Sequence, residues 1–199
     1  MDDPRSRPLR EEDVQAEPLR QFERWLREAG EVADVPEAVV LATATPEGRP
    51  SARMVLLKSA DERGLTFFSG YESRKGRELE QNPRAALLFH WPALGRQVRV
   101  EGAVERLPPE ESDAYWATRA PASRRSAASS PQSRVVADRD TLERSAAALP
   151  DDVARPEAWG GYLLVPEEVE FWQHREDRLH DRLRYRRENG AWLVERLAP

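Results

Sequence analysis

Between Pro18 and Ala33 the apolar residues Leu19, Phe22, Leu26 and Ala29 recur at helical spacing, with Trp25 beside them. That spacing predicts an amphipathic helix. The period then shortens. Ala38 to Thr45 is β-branched and apolar, Pro46-Glu47-Gly48-Arg49 is a turn signal, and Ser51 to Ser59 follows as a second strand. Asp61-Glu62-Arg63-Gly64 turns the chain into a third strand, Leu65 to Ser69. Connections this short pair neighbouring strands antiparallel, because a parallel crossover needs about a dozen residues or more.

Glu72 to Gln81 predicts a short helix stopped at Asn82-Pro83. Ala85 to Trp91 and Arg96 to Leu107 read as strands, and Pro108-Pro109 opens a helix reaching Arg119. Residues 120–138 are rich in Ser, Ala and Arg and read as loop, and Leu142 to Leu149 reads as helix. The chain then returns to strand at Trp159 to Val165, Val169 to Trp172 and Arg182 to Arg187. Glu188-Asn189-Gly190 turns it into Ala191 to Leu197. About seven strands with peripheral helices predict a mainly β fold, a closed or nearly closed antiparallel barrel. One domain is expected over 17–199. Residues 1–16, polar and without an aromatic side chain, are expected to be a mobile tail.

Composition narrows the function. A 199-residue chain hides roughly 70% of its unfolded surface, enough for a core without staples. With 31 basic and 36 acidic residues the net charge is -5, which argues against a general nucleic-acid binder. Cysteine is absent, which excludes disulfides, thiolate metal sites and a cysteine nucleophile. The longest apolar runs, Ala38 to Ala42 and Ala85 to Phe89, fall far short of the ~20 residues that span a bilayer. The acidic start, Met1-Asp2-Asp3-Pro4, is not followed by an apolar segment, so the expected location is cytoplasmic. Only two of the 31 basic residues are lysine, Lys58 and Lys75.

No Walker A loop or Gly-x-Gly-x-x-Gly is present. The histidines are His90, His174 and His180, which with no cysteine gives no support for a zinc site. Four segments carry candidate chemistry. Ser73-Arg74-Lys75-Gly76-Arg77 places a hydroxyl and cations at a helix N-terminus, a ready phosphate site, although a solvated charge cluster has the same pattern. In Arg53-Met54-Val55-Leu56-Leu57-Lys58, strand alternation sends Arg53 to one face and Lys58 to the other. Each either points inward to an anion or reaches water from a strand end. At strand period Arg178, His180 and Arg182 share a face, either a phosphate-ester site or a solvated outer surface. Trp172 upstream is a stacking surface or core. Tyr115 and Arg119, four apart on a helix with Ser123 beyond, suit a phosphorylated aromatic ligand and equally an ordinary helix surface.

Taken together these segments resemble the pyridoxamine/pyridoxine 5'-phosphate oxidase family. The matching stretches are Arg53 to Lys58, Ser73 to Gly76, Asn82-Pro83, Arg96 to Arg99 with Glu101-Gly102, and Gln132-Ser133. They continue through Trp159 to Tyr162, Glu170 to Gln173, Arg178-Leu-His-Asp-Arg182 and the terminal Arg196-Leu-Ala-Pro199. The resemblance implies an antiparallel split β-barrel, a homodimer, and FMN at the subunit interface. FMN contacts would be Arg53, Met54, Val55, Leu56, Leu57, Lys58, Phe68, Ser69, Arg74, Lys75, Gln97, Gln132, Ser133, Trp172 and Arg182. A phosphorylated pyridine substrate would be held by Lys58, Tyr115, Arg119, Ser123, Arg178 and His180, with Arg178 and His180 nearest the chemistry. The implied reaction oxidises the C4' amine or alcohol, with O2 as acceptor and hydrogen peroxide as product.

This chain departs from the family pattern on the substrate side. Arg124-Arg125-Ser126 stands where Gln-Ile-Gly is usual, His174 where Gly is usual, and no aromatic residue precedes Phe22. Two rivals stay in view, the first of them on account of Arg124-Arg125 and His174. One is a split-barrel flavin oxidase of the phenazine-biosynthesis type acting on another reduced ring. The other is a non-catalytic pyridoxal 5'-phosphate binder.

Overall fold

The computed structural model describes residues 7–199. Helix α1, Pro18–Gly30, begins on a proline, whose missing N–H is no loss in a first turn. Phe22, Trp25 and Ala29 are buried, with Leu19 and Leu26 half-buried beside them. The Phe22 ring lies 4.8 Å from Phe89, and Trp25 meets Phe171 edge-on at 5.1 Å. The predicted apolar stripe is therefore the face that closes one side of the core.

Among the described residues nine strands form one antiparallel sheet. They are β1 Ala38–Ala44, β2 Pro50–Leu56, β3 Ser59–Asp61, β4 Gly64–Gly70, β5 Arg84–Trp91, β6 Arg96–Arg106, β7 Trp159–Gln173, β8 Asp181–Glu188 and β9 Ala191–Arg196. The order is β2-β1-β5-β6-β7-β4-β3, with β8 on β7 and β9 on β8. β6 accompanies β7 from Tyr162 to Gln173, whereas the other edge of β7 is shared. β4 takes Trp159 to Leu164 and β8 takes Glu168 to Gln173, so the sheet forks along a single strand. This is a mainly β, antiparallel split barrel with peripheral helices: α2 Arg74–Gln81, α3 Pro109–Thr118, α4 Pro121–Ser129 and α5 Arg139–Ala147.

Three sequence expectations are corrected here. Trp159 to Val165 and Val169 to Trp172 belong to one long strand, because a bulge opposite Glu101/Gly102 lets β7 continue through Pro166. A Cβ on Gly102 would lie 1.9 Å from the Val165 carbonyl oxygen, so only glycine permits that approach. The strand expected over Ser51 to Ser59 breaks at Leu57-Lys58. There Leu57 N–H donates to Glu37 O (2.9 Å) and Lys58 N–H to Thr66 O (2.8 Å), carrying the chain from β1 to β4. Within the expected loop 120–138 lies α4, which buries no residue fully and so has no apolar period to read.

The expected tail also differs from residue 7 on; residues 1–6 lie outside the described residues. Leu9 is buried in the core cluster, and its N–H donates to Asp181 Oδ2 (3.1 Å). Tyr185 Oη donates to Gln15 O (2.7 Å), and Arg196 binds Glu11 and the Leu9 carbonyl. This segment straps the β8–β9 hairpin. Leu9→Ala is expected to lower stability by about 2 kcal/mol, read as a fall in Tm of roughly 4–8 °C by thermal unfolding. An unchanged Tm would mean the strap is not bound.

Candidate functional site

The N-terminus of α2 organises the site. Ser73 Oγ caps the helix by accepting from Gly76 N–H (3.2 Å). A Cβ on Gly76 would sit 2.0 Å from the Tyr71 carbonyl oxygen, so glycine lets the helix pack this closely. The packing carries Lys75 beneath β4, where it is 7% exposed. Its ammonium donates to Ser69 Oγ (2.8 Å) and Ser73 Oγ (3.3 Å), and among the described residues it meets no carboxylate. Burial, reinforced by the Arg53 charge, pushes the Lys75 ammonium down to about 8. A buried cation with only hydroxyl partners is poised for an anion.

A distant loop completes this corner. Gln132 Oε1 accepts from Ser69 Oγ (3.2 Å) and Gly70 N–H (3.3 Å). Ser133 Oγ accepts from Arg74 N–H (3.1 Å). Ser133 holds a left-handed φ of 71°, an uncommon conformation for a non-glycine residue and one found at functional sites. The Arg74 side chain itself turns to Glu78 (2.8 Å).

The two charges of the Arg53–Lys58 segment part company. Arg53 points inward, donating to Leu41 O (3.1 Å), Thr43 Oγ1 (2.6 Å) and Ser51 Oγ (2.5 Å). It also pairs with Glu78 Oε2 (3.2 Å). Glu78 is a residue the sequence reading missed, since a lone Glu in a short helix gives no signal. Burial raises its carboxyl, but hydrogen bonds from Ser51, Thr43, Arg74 and Arg53 outweigh that and bring it to about 2. Lys58 is exposed at the strand break, while Met54 and Leu56 project from the outer face of β2.

Lys58 and Lys75 nevertheless line one cleft of about 190 Å³ with Met54, Val55, Leu56, Phe68, Ser69, Tyr115, Arg119 and Gln132. Leu57 is buried behind it. An aromatic stack forms one wall: Phe68 lies 3.9 Å from Tyr115 and 5.6 Å from Trp159, with near-parallel planes. The Arg119 guanidinium sits 4.9 Å above Trp159. Arg119 follows the last residue of α3 rather than lying within the helix, and it donates to Ser123 O (3.0 Å). Ser123 stands in α4, exposed, and lines an adjoining, larger cleft that shares Phe68, Ser69, Arg119 and Gln132. Trp159 also escaped the sequence reading as a site residue, although its Trp-Gly-Gly-Tyr segment was visible.

The remaining expected site residues form a second group. Gln97 is in register with Trp172, and Trp172 with Arg182, across β6, β7 and β8. Arg182 is held by Glu170 in a two-pronged contact (2.7 and 3.1 Å) and donates to Ala198 O (2.9 Å). His180 packs 4.6 Å from Trp172. The expected strand face of Arg178, His180 and Arg182 is corrected: β8 begins at Asp181, and Arg178 sits exposed in a turn with φ 69°. Ser69 is in register with Gly160, whereas Gln97 is in register with Trp172, twelve residues further along β7. At about 3.3 Å per residue this is roughly 40 Å along the strand before the bulge shortens it. The expected site residues therefore fall into two groups near opposite ends of β7.

The architecture defines a split-barrel protein, and its cation-lined, aromatic-walled cleft has the chemistry to receive a phosphorylated, flat ligand. Comparison with known proteins makes this particular. Residues 27–149 match the family model described as pyridoxamine 5'-phosphate oxidase. Residues 159–199 match the pyridoxine 5'-phosphate oxidase C-terminal dimerisation region. The chain is 57% identical over 194 residues to pyridoxine/pyridoxamine 5'-phosphate oxidase of Ralstonia pickettii, covering 94% of this chain and 91% of the relative. It is 51% identical to the Salinibacter ruber protein of the same name, with 96% and 93% covered. Among solved structures, PhzG from Burkholderia lata, in complex with tetrahydrophenazine-1-carboxylic acid, superposes with a TM-score of 0.90 at 37% identity, covering 98% and 99%. The chain belongs to the pyridoxamine 5'-phosphate oxidase family.

Proposed function

We propose that the protein is an FMN-dependent oxidase converting pyridoxamine 5'-phosphate or pyridoxine 5'-phosphate to pyridoxal 5'-phosphate. O2 is the acceptor and H2O2 the product; the amine substrate also takes up water and releases ammonia. The observation that carries this reading is the buried Lys75 ammonium. Among the described residues it has no carboxylate partner, and it opens on the same cleft as Lys58, Tyr115 and Arg119. The donor set fits FMN: Lys75, Ser69, Arg74 and Ser133 suit its phosphate, Arg53 to Leu56 of β2 and Leu57 at its break lie beside it, and Phe68 and Gln132 flank the cleft. FMN, when bound, accepts hydride from the substrate and returns electrons to O2.

The chain's own residues bind and orient. Lys58, Tyr115, Arg119 and Ser123 hold the substrate phosphate, which fixes C4' in place. Arg178 and His180 hold the pyridine from the opposite side. Since these two groups are far apart in one protomer, two copies assemble as a homodimer, the Lys75 group of one facing the Trp172, Gln97 and Arg182 group of its partner. Residues 17–199 act as one domain, to which the 7–16 segment is strapped. No helix among the described residues is long and apolar enough to cross a membrane, and we place the enzyme in the cytoplasm, free of nucleic acid.

The test is oxygen uptake with pyridoxal 5'-phosphate formation on addition of pyridoxamine 5'-phosphate; FMN binding without turnover would refute the substrate assignment. Arg178→Ala is expected to lower kcat/KM roughly 100-fold, about 2.7 kcal/mol, while FMN affinity stays unchanged. Equal loss of FMN affinity would move Arg178 to the cofactor. A second reading, oxidation of another reduced ring, draws on the PhzG likeness and on Arg124-Arg125-Ser126 in α4. Side-by-side turnover of both substrate classes decides between them.

A further inference from the structure

Trp172, His174 and His180 form a ring cluster beside the turn that carries Arg178. The His180 ring lies 4.6 Å from Trp172 and 5.3 Å from His174, and His174 lies 6.2 Å from Trp172. The backbone of His174 is pinned, its N–H donating to Gly95 O (2.7 Å). The next residue supplies a third hold: Arg175 N–H donates to His180 Nδ1 (3.1 Å). Downstream, Asp181 starts β8 and is itself bound by Leu9 N–H and by Arg196 (2.8 Å). His180 is thus gripped by two rings, one backbone amide and a tied strand end.

Because Nδ1 is occupied as an acceptor, the neutral imidazole carries its proton on Nε2. We propose that His174 is a positioning residue that, with the Arg175 amide, presents His180 Nε2–H as a hydrogen-bond donor to the substrate. This rests on the reading that His180 meets substrate. Ring packing supplies the orientation, so a flat side chain at position 174 suffices and its ionisation is not needed. A chain with no ring at 174 loses one wall of the cluster, and the His180 ring gains rotational freedom it must lose again when substrate binds.

The experiment uses the FMN-loaded dimer in wild-type form and as His174→Gly, His174→Phe, His180→Ala and His174→Gly/His180→Ala. H174G is expected to lower kcat/KM for pyridoxamine 5'-phosphate about tenfold, mainly through KM, and H174F to stay within about twofold of wild type. On the H180A background H174G is expected to add nothing. Imidazole 15N NMR, simplified by a chain with three histidines, is expected to show His180 protonated on Nε2. The proposal is overturned if H174G matches wild type, if its loss persists in full on H180A, if H174F fails to rescue, or if His180 is protonated on Nδ1. If H180A itself has no effect, the placement of His180 at the substrate falls too; an effect of H180A without one of H174G refutes the positioning role alone.

Discussion

Lys75→Met is expected to cost about two orders of magnitude in FMN affinity while making the cofactor-free protein more stable. The first effect follows from charge. A phosphate arriving at Lys75 converts a buried ammonium with two hydroxyl partners into a charge-assisted pair, and losing such a pair costs roughly 2–3 kcal/mol. The second follows from burial, which with the Arg53 repulsion brings the ammonium from 10.5 to about 8. Between those values the unfolded chain binds more protons than the folded one, so stability of the cofactor-free protein rises as pH climbs from about 8 towards 10.5. Below about 8 the penalty is fully present, and Lys75→Met removes it. FMN affinity of the native protein should in turn fall as pH rises through about 8 and the ammonium loses its proton. Fluorescence titration with FMN and thermal unfolding of the cofactor-free protein check both signs. Lys75→Arg should also bind poorly, because a guanidinium fork does not fit between Ser69 and Ser73. Affinity unchanged in both variants would remove Lys75 from the site.

Glu78→Ala is expected to lower stability by about 3–5 kcal/mol, with a Tm roughly 10 °C lower or more. The carboxylate is 5% exposed and accepts from Thr43 Oγ1 (2.5 Å), Ser51 Oγ (2.5 Å), Arg53 (3.2 Å) and Arg74 (2.8 Å). Removing it leaves the inward Arg53 guanidinium without its carboxylate and releases two hydroxyls. The same network gives acid sensitivity a defined window. Glu78 falls from 4.5 to about 2 in the fold, so its contribution is complete above about 4.5 and is lost as pH drops towards 2. Thermal unfolding across that range, native against Glu78→Gln, is the measurement. The native protein should lose stability more steeply, and parallel curves would show that the carboxylate contributes nothing.

The parts legible in the sequence were those with a local cause. Phe22, Trp25 and Ala29 declared α1 by spacing, and short turns such as Pro46 to Arg49 and Glu188 to Gly190 declared the hairpins. What spacing concealed was long-range. Arg53 looked like Lys58 until Glu78, twenty-five residues away, took the one and left the other exposed. The Arg178 turn was hidden because strand alternation assumes a strand, and a left-handed arginine has no sequence mark. α4 was hidden by its lack of an apolar face, and the continuity of β7 by a proline that the bulge at Gly102 accommodates. The two groups of site residues also read as one list, since sequence order does not show that Ser69 pairs near one end of β7 while Trp172 lies near the other.

The most direct test is the visible spectrum of the FMN-loaded dimer before and after anaerobic addition of pyridoxamine 5'-phosphate. The account predicts bleaching of the flavin band, recovery on admitting air, and bleaching slowed about 100-fold in Arg178→Ala with the flavin still bound. A flavin band unmoved by the substrate would contradict it.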